Sequence, residues 1–389
     1  ENGWLLSRNI NDPYYSKIFA RTHYNKLDVT AKVTPFKDLD IDIKANKIYT
    51  RNLSEQMDIV TDNIGADPYF APSVVTETGN FSMSYMMLGT SFNNPDALFE
   101  NFKANRQIIA QRLSNQSGLD VNGYGNNSQL VILPAFLSAY SGQSVDQVKL
   151  QPFRDIPLPN WQINYRGLMK FNWFKKNFSS FSISHAYRSS YTIVNFSNNS
   201  QYNANTPDAL DISGNYFSKQ LFTNVGLIEE FSPLVKVEMK LKNSFTLSGR
   251  INMDRAMTLN FNNNTLTQDN GKEYVIGLGY RFKDVPFNMR LQGKKMKFKG
   301  DLNLKLDVSL RDDLLMVSYF GEDENLENNQ VTGGQKMFNL RFIADYNLTK
   351  NLQSGLYYIQ DASRYAISTT YPRQSISAGI SFKYNLGNQ

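Results

Sequence analysis

Long stretches in which apolar and polar residues alternate one by one constrain the fold of this chain most. In residues 302–310 every second residue is Leu or Val, and the residues between them are polar. The stretches 273–283 and 375–386 alternate in the same way, with small or polar residues between most of the apolar ones. Because side chains alternate between the two faces of a strand, each stretch predicts a β-strand with one apolar face and one wetter face.

Alternation of this kind fits either a soluble β-sandwich or a membrane barrel, and strand length separates the two. We count about fourteen predicted strands, many near the roughly ten residues that a tilted strand needs to cross a bilayer. Sandwich strands are usually shorter, about five or six residues. The 22 Tyr and 26 Phe residues suit the aromatic girdles of barrels. We therefore predict an all-β fold, the wall of a transmembrane antiparallel β-barrel with one helical or irregular insert.

Composition excludes several other classes of protein. No apolar run reaches the roughly 18 residues of a transmembrane helix. The chain has no cysteine and only two histidines, His23 and His185, and its 41 basic residues are scattered rather than clustered. These counts argue against disulfides, thiolate metal sites and a nucleic-acid surface. An outer-membrane lipase or protease would need a serine or carboxylate partner for a histidine, and neither histidine has a convincing one. We expect no enzyme, no metal and no cofactor.

The predicted strands fall into two groups separated by the insert. Residues 1–92 predict barrel strands with a long polar connection at 52–78. Residues 93–160 predict the insert, in the lumen or in a loop, with a helix at 95–113 that begins at the N-cap pair Asn94-Pro95. Residues 161–389 predict the remaining barrel strands and close with the strand at 375–386.

Turn lengths predict which end of each strand faces the periplasm. Counting back from a periplasmic C-terminus places short turns on one side, at 350–351, 311–313, 284–286, 254 and 232–233. The same count places longer loops outside, at 321–334, 262–271 and 197–213. Upstream of residue 161 the count fails, because it puts the tight turn at 34–38 with the outer loops. A path of the insert through the lumen would explain that failure.

The insert and the strands after it hold the candidates for a structural or gating role. They are Leu133, Pro134, Phe136, Tyr140, Pro157, Pro159, Trp161, His185, Tyr187 and Arg188. His185 is unusual because it falls in an apolar alternating set, and a polar residue facing lipid is unfavourable. It would lie at the membrane interface, face a protein partner, or mark a break in strand register.

Six segments in order carry a resemblance to a known family. They are LPAFLSAY at 133–140, IPLPNW at 156–161, SHAYRSSY at 184–191, EFSPL at 230–234, GLGYR at 277–281 and DLNLKLDVS at 301–309. Together they resemble the C-terminal part of the SprA (Sov) family, the outer-membrane translocons of the type IX secretion system. The resemblance implies a very large single-chain barrel in a Gram-negative outer membrane. It also implies export of folded proteins, including the surface adhesins of gliding motility.

The resemblance further implies a set of partners. They are a PorV-like barrel protein at a lateral gate, a periplasmic plug protein, the secreted cargo, and the N-terminal remainder of the same translocon. An outer-membrane location adds membrane lipid and lipopolysaccharide, and we expect no nucleic acid. The alternative is a self-contained barrel that transports small hydrophobic or nutrient solutes. Pairing of the first strand with the last would favour that alternative.

Overall fold

The fold is a single antiparallel sheet with a helical insert on one face. The computed structural model describes residues 16–60, 69–291, 294–320, 330–348, 351–367 and 371–385. The strands among these residues are β1 (Ser16–Val33), β2 (Leu39–Val60), β3 (Tyr69–Ser84), β4 (Asn160–Tyr165), β5 (Phe178–Asn198), β6 (Gln220–Phe222), β7 (Asn224–Leu241), β8 (Phe245–Asn260), β9 (Thr265–Leu291), β10 (Lys294–Tyr319), β11 (Gln330–Asn347), β12 (Leu352–Tyr365) and β13 (Arg373–Tyr384). The helices are α1 (Pro95–Ser117), α2 (Gln129–Ser141) and α3 (Asn172–Asn177). The predicted antiparallel all-β fold is confirmed.

Several strands are longer than the sequence predicts, because four predicted turns lie inside strands. The turn at 232–233 lies in β7, 254 in β8, 284–286 in β9 and 311–313 in β10. The predicted connection at 52–78 is also wrong over most of its length, because β2 continues to Val60 and β3 begins at Tyr69. The predicted strand that begins at Trp161 ends at Tyr165 and is followed by α3. Of the closing strand, residue 386 lies outside the described residues.

The charges at two of these predicted turns are instead paired across strands. Arg311 on β10 donates from Nη1 and Nη2 to the two carboxylate oxygens of Asp254 on β8, both at 3.0 Å. Its Nε lies 2.8 Å from Oδ1 of Asp313. Paired in this way, the charges can lie in the middle of a sheet, so local turn signals in the sequence were overridden by partners distant in sequence.

The sheet is open in the part of the chain that the structure describes. Its order is β1-β2-β3-β5-β7-β8-β9-β10-β11-β12-β13, with β4 against β2 and β5 and β6 against β5. All of the pairings are antiparallel. Within the described residues, β1 pairs only with β2 and β13 pairs only with β12.

Strands β3 and β4 occupy one position in the sheet and together replace a single long strand. β2 pairs with β4 over residues 39–44 and with β3 over residues 47–60. On the other side, β5 pairs with both of them. The chain therefore leaves the sheet at the end of β3, forms the insert (residues 85–159), and returns at β4 to nearly the same position along β2 and β5.

This interrupted strand removes the failure in the turn count. The tight connections at 34–38 and 242–244 lie at one end of the sheet, which we term the lower end. The connections at 199–219 and 261–264 lie at the upper end. With β3 and β4 counted as one strand, successive connections alternate between the lower and the upper end throughout the described sheet, and the lower end also carries the longer segment 166–177. A path of the insert through a lumen is not required to explain the count.

Two side chains satisfy the backbone donors where the strand is interrupted. Oγ of Ser84 accepts a hydrogen bond from the backbone N–H of Asn46 at 3.1 Å. Oδ1 of Asn160 accepts one from the backbone N–H of Ser189 at 2.8 Å. Both donors belong to strands that flank the gap, and unsatisfied backbone N–H groups are unfavourable inside a sheet.

One face of the sheet carries an apolar band, which is interrupted by Ser354 and Gln360 on β12 and by Gln374 on β13. The register aligns apolar residues across six strands, as in the row Leu247, Leu278, Leu306, Phe342, Tyr358 and Ala378. We define the apolar band as this row and its neighbours, from the row of Leu302 to the row of Leu310. Eight residue steps separate those two rows, or about 26 Å along the strand. Band residues such as Ile276 and Leu310 are 57% and 55% exposed.

The opposite face is polar. It carries charged residues of both signs on β7 to β11, which are Lys236, Glu238, Arg250, Glu273, Asp307 and Arg341. These side chains line a cleft of about 430 Å³. The two faces of the sheet therefore differ in polarity over the full height of the band.

Above the band, the apolar face becomes the core of the protein. Helix α2 has no charged residue, and residues 131–141 are all buried. The core around α2 continues into sheet residues that lie on the same face as the band, including Met257, Leu259 and Leu266. The insert therefore packs on the face that carries the apolar band. Within the described residues, no helix is long and apolar enough to span a membrane.

We predict that Asn160→Ala lowers the free energy of unfolding by about 1–3 kcal/mol, because it leaves the part-buried N–H of Ser189 without an acceptor. Denaturant unfolding followed by tryptophan fluorescence measures this change. Gln162→Ala, an exposed residue on the same strand, is the control and should change stability by less than about 0.5 kcal/mol. Equal effects of the two variants would contradict this role of Asn160.

Candidate functional site

A buried ion pair joins the insert to the sheet at the upper edge of the apolar band. Glu229 on β7 and Arg255 on β8 are register partners. Nε of Arg255 donates to Oε2 of Glu229 at 2.6 Å, and the side chains are 8% and 1% exposed. A buried pair of charges is stable only when the remaining polar atoms also have partners.

Those further partners come from the insert and from β5. Oε1 of Glu229 accepts hydrogen bonds from the Tyr187 hydroxyl at 2.8 Å and from Oγ of Ser91 at 2.9 Å. The Tyr187 hydroxyl in turn accepts from the backbone N–H of Met87 at 2.9 Å. Both carboxylate oxygens are therefore occupied by donors.

Arg255 holds the segment that leads from β3 into α1. It donates to the backbone carbonyl of Thr90 at 3.0 Å, to Oγ1 of Thr90 at 2.8 Å and to the carbonyl of Met87 at 3.2 Å. A planar guanidinium suits such a site because its five N–H groups point in fixed directions. The Arg255 side chain therefore links β8 to residues 87–91 of the insert.

A cavity of about 750 Å³ lies beside the Arg255 side chain. Its lining joins the insert, the upper edge of the band and a group of cations, represented by Phe92, Phe231, Lys272, Lys336 and Arg364. The Phe92 and Phe231 rings stack with centroids 5.7 Å apart. The cavity is therefore lined both by aromatic rings and by charges of both signs, because Asp254, Asp312 and Asp313 line it as well.

The predicted residues of the insert are core residues in α2. Leu133, Phe136 and Tyr140 are at most 2% exposed, and Pro134 lies inside the helix. The carbonyl of Tyr140 lies 3.5 Å from Nη2 of Arg255. Burial raises the pKa of the Tyr140 phenol above its ordinary value. These residues give the insert its packing, and Tyr140 alone contacts the ion pair.

The predicted residues around β4 and β5 surround Tyr187. Trp161 stacks on the Tyr187 ring with centroids 4.7 Å apart. Pro157 and Pro159 lie in the irregular segment that leads into β4. Arg188 is exposed on the opposite face, where it lies 3.8 Å from Glu230. The structure therefore brings Tyr140, Trp161 and Tyr187 to the site and leaves Arg188 outside it.

His185 lies at an irregularity in strand register. The pairing of β5 with β7 shifts between Ser184 and Arg188. Nδ1 of His185 lies 2.6 Å from the carbonyl oxygen of Leu234, which can only accept, so this nitrogen carries a proton. Of the three predicted explanations for this histidine, the register break matches this geometry.

Sequence reasoning missed four residues of the site, which are Thr90, Ser91, Glu229 and Arg255. A signal for two of them was present in the sequence. Glu229 falls between Leu227 and Phe231 in an apolar alternating set, and Arg255 falls between Met253 and Met257. A charged residue at an apolar position is the same anomaly that singled out His185.

The contacts of the site hold two elements of the structure together. Its carboxylate is fully occupied by donors and paired with a cation. Within the described ranges, no group of three or more His, Cys, Asp or Glu side chains could hold a metal ion. The arrangement fixes the insert on the sheet.

We predict that Arg255→Met lowers the free energy of unfolding by about 3–5 kcal/mol, because Glu229 is left buried without its cation. The double variant Arg255→Met with Glu229→Leu should recover much of this loss. Denaturant unfolding measures both effects. Limited proteolysis at residues 87–91 would show whether the insert has detached from the sheet.

The matched control is Arg250→Met, also on β8. Arg250 lies 3.9 Å from Glu273, and its side chain is 46% exposed. An exposed pair contributes at most about 1 kcal/mol. If Arg250→Met destabilised the protein as much as Arg255→Met, burial would not explain the role of the site.

No protein-family model matches this chain, and no curated protein sequence matches it either.

Proposed function

We propose that this chain is part of the wall of a protein-conducting channel in the outer membrane, which exports folded proteins as type IX translocons do. The observation that carries the proposal is the exposed apolar band on one face of a sheet whose other face is polar. Water-exposed apolar surface of this extent is unfavourable, and it marks a surface that contacts other molecules. Lipid on the band and water on the polar face would satisfy both faces.

The height of the band supports a bilayer as its partner. On β10 the band runs from Leu302 to Leu310, which is nine residues. A tilted transmembrane strand needs about 9–11 residues. The pairing of β10 with its neighbours shifts by one residue at two places, between Gly300 and Leu302 and between Leu315 and Met316. Both shifts lie outside the stretch from Leu302 to Leu310. The side chains therefore keep their faces throughout the band.

Aromatic side chains cluster near the lower end of the sheet, where a girdle would lie. In α3 and the start of β5, the rings of Trp173, Phe174, Phe178 and Phe181 contact one another. Trp173 is 63% exposed. On β9, Tyr280 and Phe282 form a similar contact, with centroids 4.5 Å apart. Such residues favour the headgroup region of a bilayer.

Connection lengths support an orientation. The tight connections at 34–38 and 242–244 lie at the lower end together with the segment 166–177, and the long loop 199–219 lies at the upper end with the turn 261–264. Barrels place short turns in the periplasm and longer loops outside. The polar face would then line the lumen, and the insert would lie toward the cell surface. Because the insert shares the face of the apolar band, it lies outside the lumen in this proposal. The sequence predicted the insert either in the lumen or in a loop, and the proposal places it in a loop.

The open sheet favours a wide channel over a self-contained barrel for small solutes. Both outer strands, β1 and β13, have one unpaired edge within the described residues. Further wall strands at those edges would complete a barrel, and barrel diameter grows with strand number. A lumen of that width suits folded cargo. The resemblance to the SprA (Sov) family adds the PorV-like gate protein, the plug and the type IX cargo as expected partners.

A pair of nitroxide-labelled cysteine variants tests the membrane placement, and the natural chain has no cysteine to interfere. Leu306→Cys and Lys305→Cys place a label on opposite faces of β10. We expect the label at 306 to collide with oxygen and be shielded from a water-soluble nickel chelate, because it faces lipid. The label at 305 should show the reverse.

Gln111→Cys, on an exposed position of α1, is the water-accessible control. Paramagnetic relaxation in outer-membrane vesicles measures all three labels. Equal access of the nickel chelate to positions 305 and 306 would contradict a bilayer on the band.

Deletion of this chain from its host tests the export function. We expect a folded reporter with a type IX C-terminal signal to stay in the periplasm, because the export channel would lack part of its wall. Cell fractionation and surface proteolysis of the reporter measure this. Uptake of small solutes is the control and should not change. Normal reporter export with impaired solute uptake would favour the self-contained barrel.

A further inference from the structure

A row of charged residues closes the upper edge of the apolar band on four strands. The register pairs Lys272 on β9 with Asp312 on β10, Asp312 with Lys336 on β11, and Lys336 with Arg364 on β12. Each lies two residues above a band residue on its own strand, so all four side chains are on the face of the band. We term these residues the charged row.

The charged row holds two cations that are not neutralised within the described part of the chain. Nζ of Lys336 lies 3.0 Å from Asp312, in a pair whose side chains are 76% and 56% exposed. Lys272 and Arg364 are exposed and make no ion pair with a described residue. Three strand spacings separate them, or about 14 Å. The row therefore presents two positive positions, one on either side of a neutral pair.

An apolar cleft lies directly below these cations. It has a volume of about 600 Å³, and its lining includes Tyr274, Leu310, Phe338 and Ala362, the members of the row, and two further arginines, Arg311 and Arg373. Tyr274 and Leu310 are 52% and 55% exposed. A ligand that filled it would need an apolar body and an anionic head of some width.

We propose that the charged row and this cleft bind lipid A, the acylated disaccharide of lipopolysaccharide that carries a phosphate at each end. Arg364 and Lys272 would each bind one phosphate, since guanidinium and ammonium groups form charge-assisted hydrogen bonds with phosphate oxygens. The acyl chains would lie in the cleft and on the band below it.

The inference rests on the proposed function, because the outer leaflet is the lipopolysaccharide leaflet only if the upper end faces the cell surface. The distance between the two cations favours two separated phosphates over the single phosphate of a glycerophospholipid. Charge complementarity along the row favours a lipid over an apolar protein partner.

The test compares lipid binding by the purified full-length translocon and a variant with Lys272→Gln, Lys336→Gln and Arg364→Gln. Purified lipid A, monophosphoryl lipid A, phosphatidylglycerol and fully deacylated lipid A are titrated in detergent and followed by native mass spectrometry. We expect lipid A to bind tightest, and the variant to lose roughly tenfold in affinity for each cation that contacts a phosphate. Deacylated lipid A should bind at least about tenfold more weakly than lipid A, because it lacks the acyl chains.

The matched control carries Lys236→Gln, Arg250→Gln and Arg341→Gln on the polar face, and it should bind lipid A like the natural protein. Equal affinity for lipid A and phosphatidylglycerol, or equal loss in both triple variants, would overturn the inference. The nitroxide label at position 306 separates the two failures. If that label contacts lipid while lipid A does not bind, the lipid site alone is wrong, and if it contacts water, the proposed function is wrong as well.

Discussion

The constraint on which the structure depends is that strand register keeps side chains on the same face across the sheet. A slip of one residue would move apolar side chains of the band to the polar face. At Pro233, β7 gains residues between Phe231 and Val235, which pair with Met253 and Ile251 on β8. Four steps on β7 therefore match two on β8, an even difference that preserves the faces. The proline is accommodated without mixing the apolar and polar sides.

The same face of the sheet is covered by the insert over one part of its height and exposed over the other. Below the charged row it is exposed and apolar, and above that row it is buried under the insert. The change occurs where Phe231 and Met253 lie on β7 and β8, one row below the ion pair of Glu229 with Arg255. The buried pair fixes the insert at this height, which leaves the surface below it exposed.

Sequence patterns predicted the strands and their faces, because alternation is local. They also predicted α1 from its N-cap, and Asn94 Oδ1 does accept the N–H of Asp96 at 2.8 Å. Strand ends could not be predicted in the same way. The charges of Asp254 and Arg311 indicate turns when only neighbours in sequence are considered, yet the two residues pair across the sheet at 3.0 Å. The interrupted strand was missed for the same reason, since only pairing shows that β3 and β4 share one position.

The upper edge of the apolar band, extended across the sheet to β4, β5 and β7, is built differently on the two halves of the sheet. On β4, β5 and β7 it carries the rings of Trp161, Tyr187 and Phe231, which contact one another and lie close to the insert. On β9 to β12 it carries the charged row, which the insert leaves exposed. An edge covered by protein can use stacked aromatic rings, because they bury apolar area. In the proposed membrane placement the open edge would need groups that suit water and anionic headgroups, and exposed lysine and arginine supply both. The division of this edge therefore follows from where the insert ends.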